Sequence, residues 1–380
     1  MSSSIPTQMR CLISDVRPDK TFIDFKLAMK PVPQIEKPTD VILRMEAAPM
    51  NPSDIGVIFG ASMRENAVQT SSDCISAPIP PKYAHTFEKD NYGNSRAGGI
   101  MCGNEGAGVV VAAGDAPEAQ AILGKTVAVF GSGGCYAEYR KASARGNSLN
   151  VFPDGTTAAE AASSYVNPLT ALGMLSTAVE EGHPACISTA AASQLGQMMV
   201  RIAMADNYPI VNVVRRDAQI DLLRAINPNA IVVNQSNDDF EDKLLAAVKE
   251  TGASVAFDAT GGGNLSSQLL EAIDRAGLTK AGTQLYNYGG LDTSPSTMTK
   301  GQRKRSGFWF LGAFSAKDRA NFKRCMGRVR DEIKTTFATN YTAIVPLQQA
   351  VQLDALNVYG KQTTGKKYLL MPFAKDFAKL

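Results

Sequence analysis

Ala185-Cys186-Ile187-Ser188-Thr189-Ala190-Ala191-Ala192-Ser193-Gln194-Leu195-Gly196-Gln197-Met198 is the stretch whose reading decides the fold. A short apolar run ends in a cluster of small residues, and a helix-forming segment continues to Ala205. Strand, tight turn, helix is the order of a dinucleotide site, where the free N–H groups and dipole of a helix N-terminus meet a pyrophosphate. The GxGxxG pattern is degenerate: Ala191 and Ser193 take the first two glycine places, and Gly196 keeps the third. Small side chains still let backbone and phosphate approach, and Ser193 brings a hydroxyl. Ala191, Ser193, Gln194, Leu195, Gly196 and Gln197 are therefore candidate cofactor contacts. A simple helix N-cap at Ser193 is the competing reading.

Downstream the alternation repeats. Ile210-Val-Asn-Val-Val, Ala230-Ile-Val-Val-Asn, Val255-Ala-Phe-Asp-Ala and Gln284-Leu-Tyr-Asn-Tyr are β-branched or aromatic runs with amphipathic segments between most of them. Strand and helix in repetition mean a parallel sheet with right-handed crossovers and helices on both faces, so the fold class is α/β, doubly wound. Upstream, Ala158 to Val179 reads as a helix broken near Pro168.

About 20 residues past the turn, an NAD site places an acid for the ribose 2′-OH. Here that place holds Arg215-Arg216. Two guanidinium forks suit a 2′-phosphate, which favours NADPH over NADH. The alternative is a solvated strand end.

The first ~150 residues differ in character: Val41–Ala48 alternates, Gly106–Ala113 is an apolar run, and Lys125–Phe130 follows a turn glycine. Between them, 62–99 is rich in Ser, Pro, Asn and Gly and too long for an ordinary connection, which predicts a surface insertion or lid. A short helix around Leu347–Leu356 and a strand at Lys367–Met371 are expected in the tail, rejoining the first domain. The expected domains are 1–155 with 335–380, and 156–334.

The 380 residues, 44% hydrophobic, suffice for two buried cores. A net charge of +3 provides no one-signed field for a polyanion, so nucleic acid is excluded as the expected partner. No secretory signal pattern opens the chain and no segment runs 18 apolar residues, which predicts no membrane span and no export. Six scattered cysteines without CxxC spacing read as free thiols in a reducing compartment. Ala378-Lys379-Leu380 follows the small-basic-leucine pattern of a peroxisomal address, pointing in a eukaryotic cell to that organelle and its import receptor; otherwise the expected location is the cytoplasm.

Five stretches now carry a resemblance: Ala48-Pro-Met-Asn51-Pro52-Ser53-Asp54, Gly103-Asn104-Glu105-Gly106-Ala107-Gly108, Val166-Asn167-Pro168-Leu169-Thr170-Ala171, Asn212-Val-Val-Arg215 and Gly365-Lys366-Lys367-Tyr368-Leu369. In this order they resemble the medium-chain dehydrogenase/reductase superfamily, in its zinc-free branch of quinone reductases and 2-enoyl thioester reductases. The resemblance implies a GroES-like catalytic domain, a Rossmann domain, an active-site cleft where they meet, and a homodimer. It also implies that Asn51 lies near the nicotinamide, that Thr170 and Asn167 contact the cofactor, and that Lys366 matches a lysine near its phosphate end. Tyr288-Gly289 would close a strand at the sheet's carboxyl edge, with Phe308 and Trp309 in the next strand beside the cofactor. The competing roles of these aromatics are core positions.

Zinc-dependent members carry cysteine and histidine where this chain has Asn51 and Asn104. Neither amide binds zinc well, and only two histidines exist in the chain, so no metal is expected. Without a Lewis acid, hydride delivery to an electron-poor small molecule is the consistent chemistry: a quinone or α,β-unsaturated carbonyl, or alternatively a trans-2-enoyl thioester. Enoyl thioester reductases of the family place a proton-donating tyrosine shortly after Asn-Pro-Ser-Asp. Here Ile58-Phe59-Gly60-Ala61-Ser62 stands there, and Tyr92 is the candidate displaced to that role. A non-catalytic NADPH-binding protein is a further alternative.

Overall fold

The computed structural model describes residues 5–89, 95–96, 98–131, 133–361 and 365–380. The chain divides into two compact units: Met1–Val166 with Arg330–Lys334 and Ala338–Leu380, and Asn167–Val329 with Thr335–Phe337. Residues 156–166, expected with the second domain, thus pack with the first.

In chain order the first unit supplies β1 (Gln8–Val16), β2 (Phe22–Pro31), β3 (Asp40–Met50), α1 (Pro52–Phe59), β4 (Val68–Ser71), β5 (Cys74–Pro78), β6 (Ile100–Met101), β7 (Glu105–Ala113), α2 (Pro117–Gln120), β8 (Thr126–Phe130), β9 (Tyr139–Ser143), β10 (Leu149–Val151) and α3 (Ala158–Ala161). The helix α4 (Val166–Glu180) then begins. Pro168 lies in its first turn, where a missing N–H costs nothing, so the break falls before the proline rather than at it.

The second unit continues with β11 (Ala185–Ser188), α5 (Gln194–Asp206), β12 (Ile210–Val214), α6 (Asp217–Ile226), β13 (Ile231–Asn234), α7 (Phe240–Thr251), β14 (Ala253–Asp258), α8 (Leu265–Arg275), β15 (Leu285–Asn287), α9 (Lys300–Arg303) and β16 (Ser306–Phe308). Their strands form one parallel sheet in the order β13-β12-β11-β14-β15-β16. This is the doubly wound order with its switch point between β11 and β14. Every residue of β11, β12 and β14 is buried, as a sheet covered on both faces demands. Their side chains meet Leu244, Val248, Leu269 and Ile273 from α7 and α8.

The tail returns to the first unit as β17 (Ala343–Pro346) and β18 (Tyr368–Met371). β18 pairs antiparallel with β3, and β3 pairs also with β7 and β9, so β3 is the strand around which this unit is built. A final strand, β19 (Ala378–Lys379), pairs with β17, and Leu380 N donates to Thr342 O. The Ala378-Lys379-Leu380 backbone is therefore tied to a sheet edge while its side chains are exposed.

The reading of 62–99 as an aperiodic insertion is corrected in part. β5 pairs with β2, and Ile75 and Ala77 are fully buried in the core of the first unit. β4 pairs with β5, but all four of its residues are exposed, so it carries no alternation for sequence reading to find.

His183, just before β11, is only 3% exposed, and its Nδ1 lies 2.8 Å from Ser254 Oγ. Burial, aided by the Lys280 charge, pulls its pKa down to about 4. The folded form thus holds a neutral imidazole while the unfolded chain takes up a proton below about pH 6.5. The sign is a stability fully present above about 6.5 and lost as pH falls towards about 4, amounting to at most about 3 kcal/mol. Urea unfolding across this window is expected to show a falling midpoint. In His183→Gln part of that slope should vanish, and an unchanged slope would sink the assignment.

Candidate active site and dinucleotide turn

In the first unit the site grows from the junction of β3 and α1. Asn51 sits at the N-cap, Pro52 pre-sets the first helical residue, and Asp54 Oδ2 accepts from Asn51 N at 2.8 Å. The other Asp54 oxygen accepts from Asn104 N at 2.7 Å, tying the start of α1 to the residue before β7. Burial pushes this carboxyl up, opposed by the two N–H donors and by the Lys367 charge.

Asn51 is fully buried, and its Nδ2 donates to Glu105 Oε1 at 2.9 Å. Glu105 Oε2 accepts from Tyr165 N at 2.8 Å and Val166 N at 3.0 Å, the entry to α4, where a carboxylate suits the helix dipole. On the opposite side of the amide, Lys367 Nζ donates to Asn51 Oδ1. Burial drives Glu105 up and Lys367 down, and their mutual attraction opposes both shifts.

Lys367, the neighbour of the Lys366 that the sequence singles out, is the lysine that reaches this cluster. Lys366, singled out instead, is exposed, while Lys367 is 5% exposed. Adjacent residues entering a strand face opposite ways, but two consecutive lysines give no sign of which one turns inward. Asn104 donates its side chain to Ser53 Oγ, and Tyr92 lies outside the described residues.

In the second unit the turn after β11 has Ala190 in the left-handed region (φ 49°), a conformation a non-glycine residue adopts only when its surroundings impose it. Ser193 caps α5: its Oγ accepts from Gly196 N at 3.1 Å. The competing N-cap reading is thus correct as local structure, and it leaves the hydroxyl proton free to donate. Gly196 must be glycine, since a Cβ there would lie 2.2 Å from Ala191 O. Gln197 is committed to the turn itself, donating to Ala192 O. Ala191, Gln194 and Leu195 are buried around it.

Beside this turn stands a network the sequence did not reveal. Asp258, at the end of β14, is fully buried. Its Oδ1 accepts from Thr189 Oγ1 and Thr260 N, both at 2.8 Å; its Oδ2 accepts from Gly261 N at 3.1 Å and Ser266 Oγ at 2.7 Å. The carboxyl ends of β11 and β14, where ligands gather in such sheets, are held by one carboxylate. Tyr288, half-buried, continues from β15, its N–H donating to Asp258 O, and Gly289 follows it.

Arg215 and Arg216 follow β12 and are exposed. Among the described residues neither guanidinium has a hydrogen-bond or ion-pair partner; the backbone is held at Arg215 by Gln219 and Ser236 and at Arg216, whose carbonyl accepts from Gln219 N. Thr170 and Asn167 lie buried in the first turns of α4.

Trp309, expected either beside a cofactor or in the core, packs against α4. It is 6% exposed, its Nε1 donates to Thr177 Oγ1, and its ring packs so closely on α4 that a Cβ at Gly173 would lie 2.6 Å from it. Its competing role, as core, is the one observed, whereas Phe308 beside it is 68% exposed. Among the described residues no three His, Cys, Asp or Glu side chains converge as metal ligands, and no helix is long and apolar enough to cross a membrane.

No protein-family model matches the chain. It is 27% identical over 316 residues to the mitochondrial enoyl-[acyl-carrier-protein] reductase of Candida glabrata, covering 78% of this chain and 73% of that protein. Among solved structures it is similar to a protein described as an NADPH:quinone reductase from Mesorhizobium loti, 25% identical with a TM-score of 0.72, covering 97% of this chain and all of that one. A complex of ETR1P with NADP and crotonyl-CoA, 17% identical, shares the fold with a TM-score of 0.66 over 96% of this chain and 99% of that one. Its doubly wound sheet and strand-rich first unit are similar to the fold of the medium-chain dehydrogenase/reductase superfamily. The solved structures it is similar to include proteins described as NADPH:quinone reductases and enoyl reductases.

Proposed function

We propose that this chain is an NADPH-dependent, metal-independent reductase that delivers a hydride to an electron-poor small molecule, a quinone or an α,β-unsaturated carbonyl compound. The observation that carries the reading is the pair of unpartnered guanidinium groups of Arg215 and Arg216, just beyond the small-residue turn that opens α5. Forked cations at the end of the second strand suit a 2′-phosphate and have no competing carboxylate partner. Bound NADPH supplies the hydride and the two electrons. The protein's part is to hold the pyrophosphate against the N–H groups of Gln194 and Leu195 at the start of α5, to hold the acceptor in line, and to offer donors where negative charge develops on the acceptor oxygen.

Metal independence rests on what occupies the ligand positions: the Asn51 amide is engaged by Glu105 and Lys367, and Asn104 bonds Ser53. The exposed Phe308 and Phe310, at the β16 end of the parallel sheet, suit a homodimer formed edge to edge.

The test is Arg215→Ala with Arg216→Ala. Loss of charge-assisted hydrogen bonds is expected to lower kcat/KM for NADPH by about 10- to 100-fold and to leave NADH within about 3-fold. Equal losses with both coenzymes would overturn the reading. The second reading, an enoyl thioester reductase, is favoured by the likeness to the Candida glabrata enzyme. Phe59, buried where a proton-donating tyrosine would be expected, weighs against it. Initial rates with small quinones, enones and enoyl thioesters separate the two. NADPH binding without turnover of any acceptor would favour a non-catalytic protein.

A further inference from the structure

We propose that Lys367 is a positioning residue: it fixes which way round the Asn51 carboxamide sits, so that the amide's spare hydrogen-bonding group is an N–H donor for the acceptor's oxygen. The inference rests on the reductase reading for the identity of that oxygen, but not for the orientation.

The two ends of a carboxamide are nearly equal in size, so packing alone does not choose between them. Chemistry chooses here. Asn51 lies between Lys367 Nζ and Glu105 Oε1 in a region where all three side chains are almost wholly removed from solvent. An ammonium group only donates. Glu105 is faced by three donors, Asn51 Nδ2, Tyr165 N and Val166 N, and among the described residues by no hydrogen-bond acceptor, which leaves a carboxyl proton no place to sit.

With a pure donor on one side and a pure acceptor on the other, the amide oxygen must face Lys367 and the nitrogen Glu105. Turning the amide over would break two charge-assisted hydrogen bonds and oppose like partners, holding the reversed form to about 1% or less. Nδ2 carries two protons. One goes to Glu105, and the other has no acceptor among the described residues. The site therefore keeps one buried, oriented, unused N–H, a donor that needs no reorganisation when charge builds on an oxygen in front of it. Without Lys367, the carbonyl end keeps only the backbone N–H of Asp54 in the capping box, and the orientation of Asn51 loses its charged anchor.

The experiment compares wild type with Lys367→Met, which keeps the length of the side chain and removes its charge, in two readouts. In the protein without coenzyme, the Asn51 side-chain amide protons, followed by 15N-edited NMR, should be slow to exchange in wild type and faster in the variant. In turnover, kcat should fall by about 10-fold or more while NADPH affinity stays within about 2-fold. A role confined to structure would lower the melting temperature without this split. Should Lys367→Met not fold, Lys367→Gln combined with Glu105→Gln supplies a neutral pair of similar shape, and the same loss of kcat is expected. Unchanged kcat in a folded variant, or amide exchange indifferent to Lys367, overturns the proposal. Amide protection dependent on Lys367 in a protein that reduces no acceptor would leave the orientation standing and remove the reductase reading alone.

Discussion

Gly196→Val is expected to abolish measurable NADPH binding and to destabilise the second unit by about 2–4 kcal/mol. The position is bounded by backbone. A Cβ on Gly196 would lie 2.2 Å from Ala191 O, 2.5 Å from Ala191 C and 2.6 Å from Ala191 Cα. No side chain can swing aside to relieve those contacts, so α5 must move away from the turn. That movement breaks the bond between Ser193 Oγ and Gly196 N and re-aims the helix's first N–H groups, the ones offered to a pyrophosphate. Calorimetric titration with NADPH measures the first effect and thermal unfolding the second. A variant that melts as wild type does and still binds NADPH would show that the turn is not the phosphate cradle.

How far the sequence speaks depends on how local each cause is. The parallel sheet is legible because β12 and β14 are buried on both faces and so read as unbroken apolar runs with helices between them. The turn at 190–196 is legible for the same reason, since one strand, small residues and a helix start are contiguous. Arg215-Arg216 needs only an offset from that turn. The segment 62–99 is not legible, because exposed β4 has no apolar face and β5 gains its meaning only from pairing with β2. The choice between Lys366 and Lys367 turns on a strand's facing, and that is set by β3, more than three hundred residues away in sequence. For Trp309 the sequence leaves two roles open, because an aromatic residue at the carboxyl end of a strand looks alike whether it faces a ligand or α4.

Asp258 is the clearest case of a site residue with no local signature, and it yields the second large effect. Its partners Thr189 and Ser266 stand 69 and 8 residues away, and no spacing rule links them. Asp258→Asn changes one atom type and is nevertheless expected to cost about 3 kcal/mol, because every group facing the carboxylate is a donor. Whichever oxygen becomes NH2, it meets one hydroxyl and one backbone N–H: Thr189 with Thr260 on one side, Ser266 with Gly261 on the other. A hydroxyl can rotate to accept; a backbone N–H cannot, so one buried donor is orphaned in either orientation. The residues displaced are those that follow β11 and β14 at the sheet's carboxyl edge, so weaker NADPH binding should accompany the loss of stability. Urea unfolding with and without NADPH reads both. An Asp258→Asn protein as stable as wild type, with unaltered coenzyme affinity, would show that the carboxylate does not organise this edge.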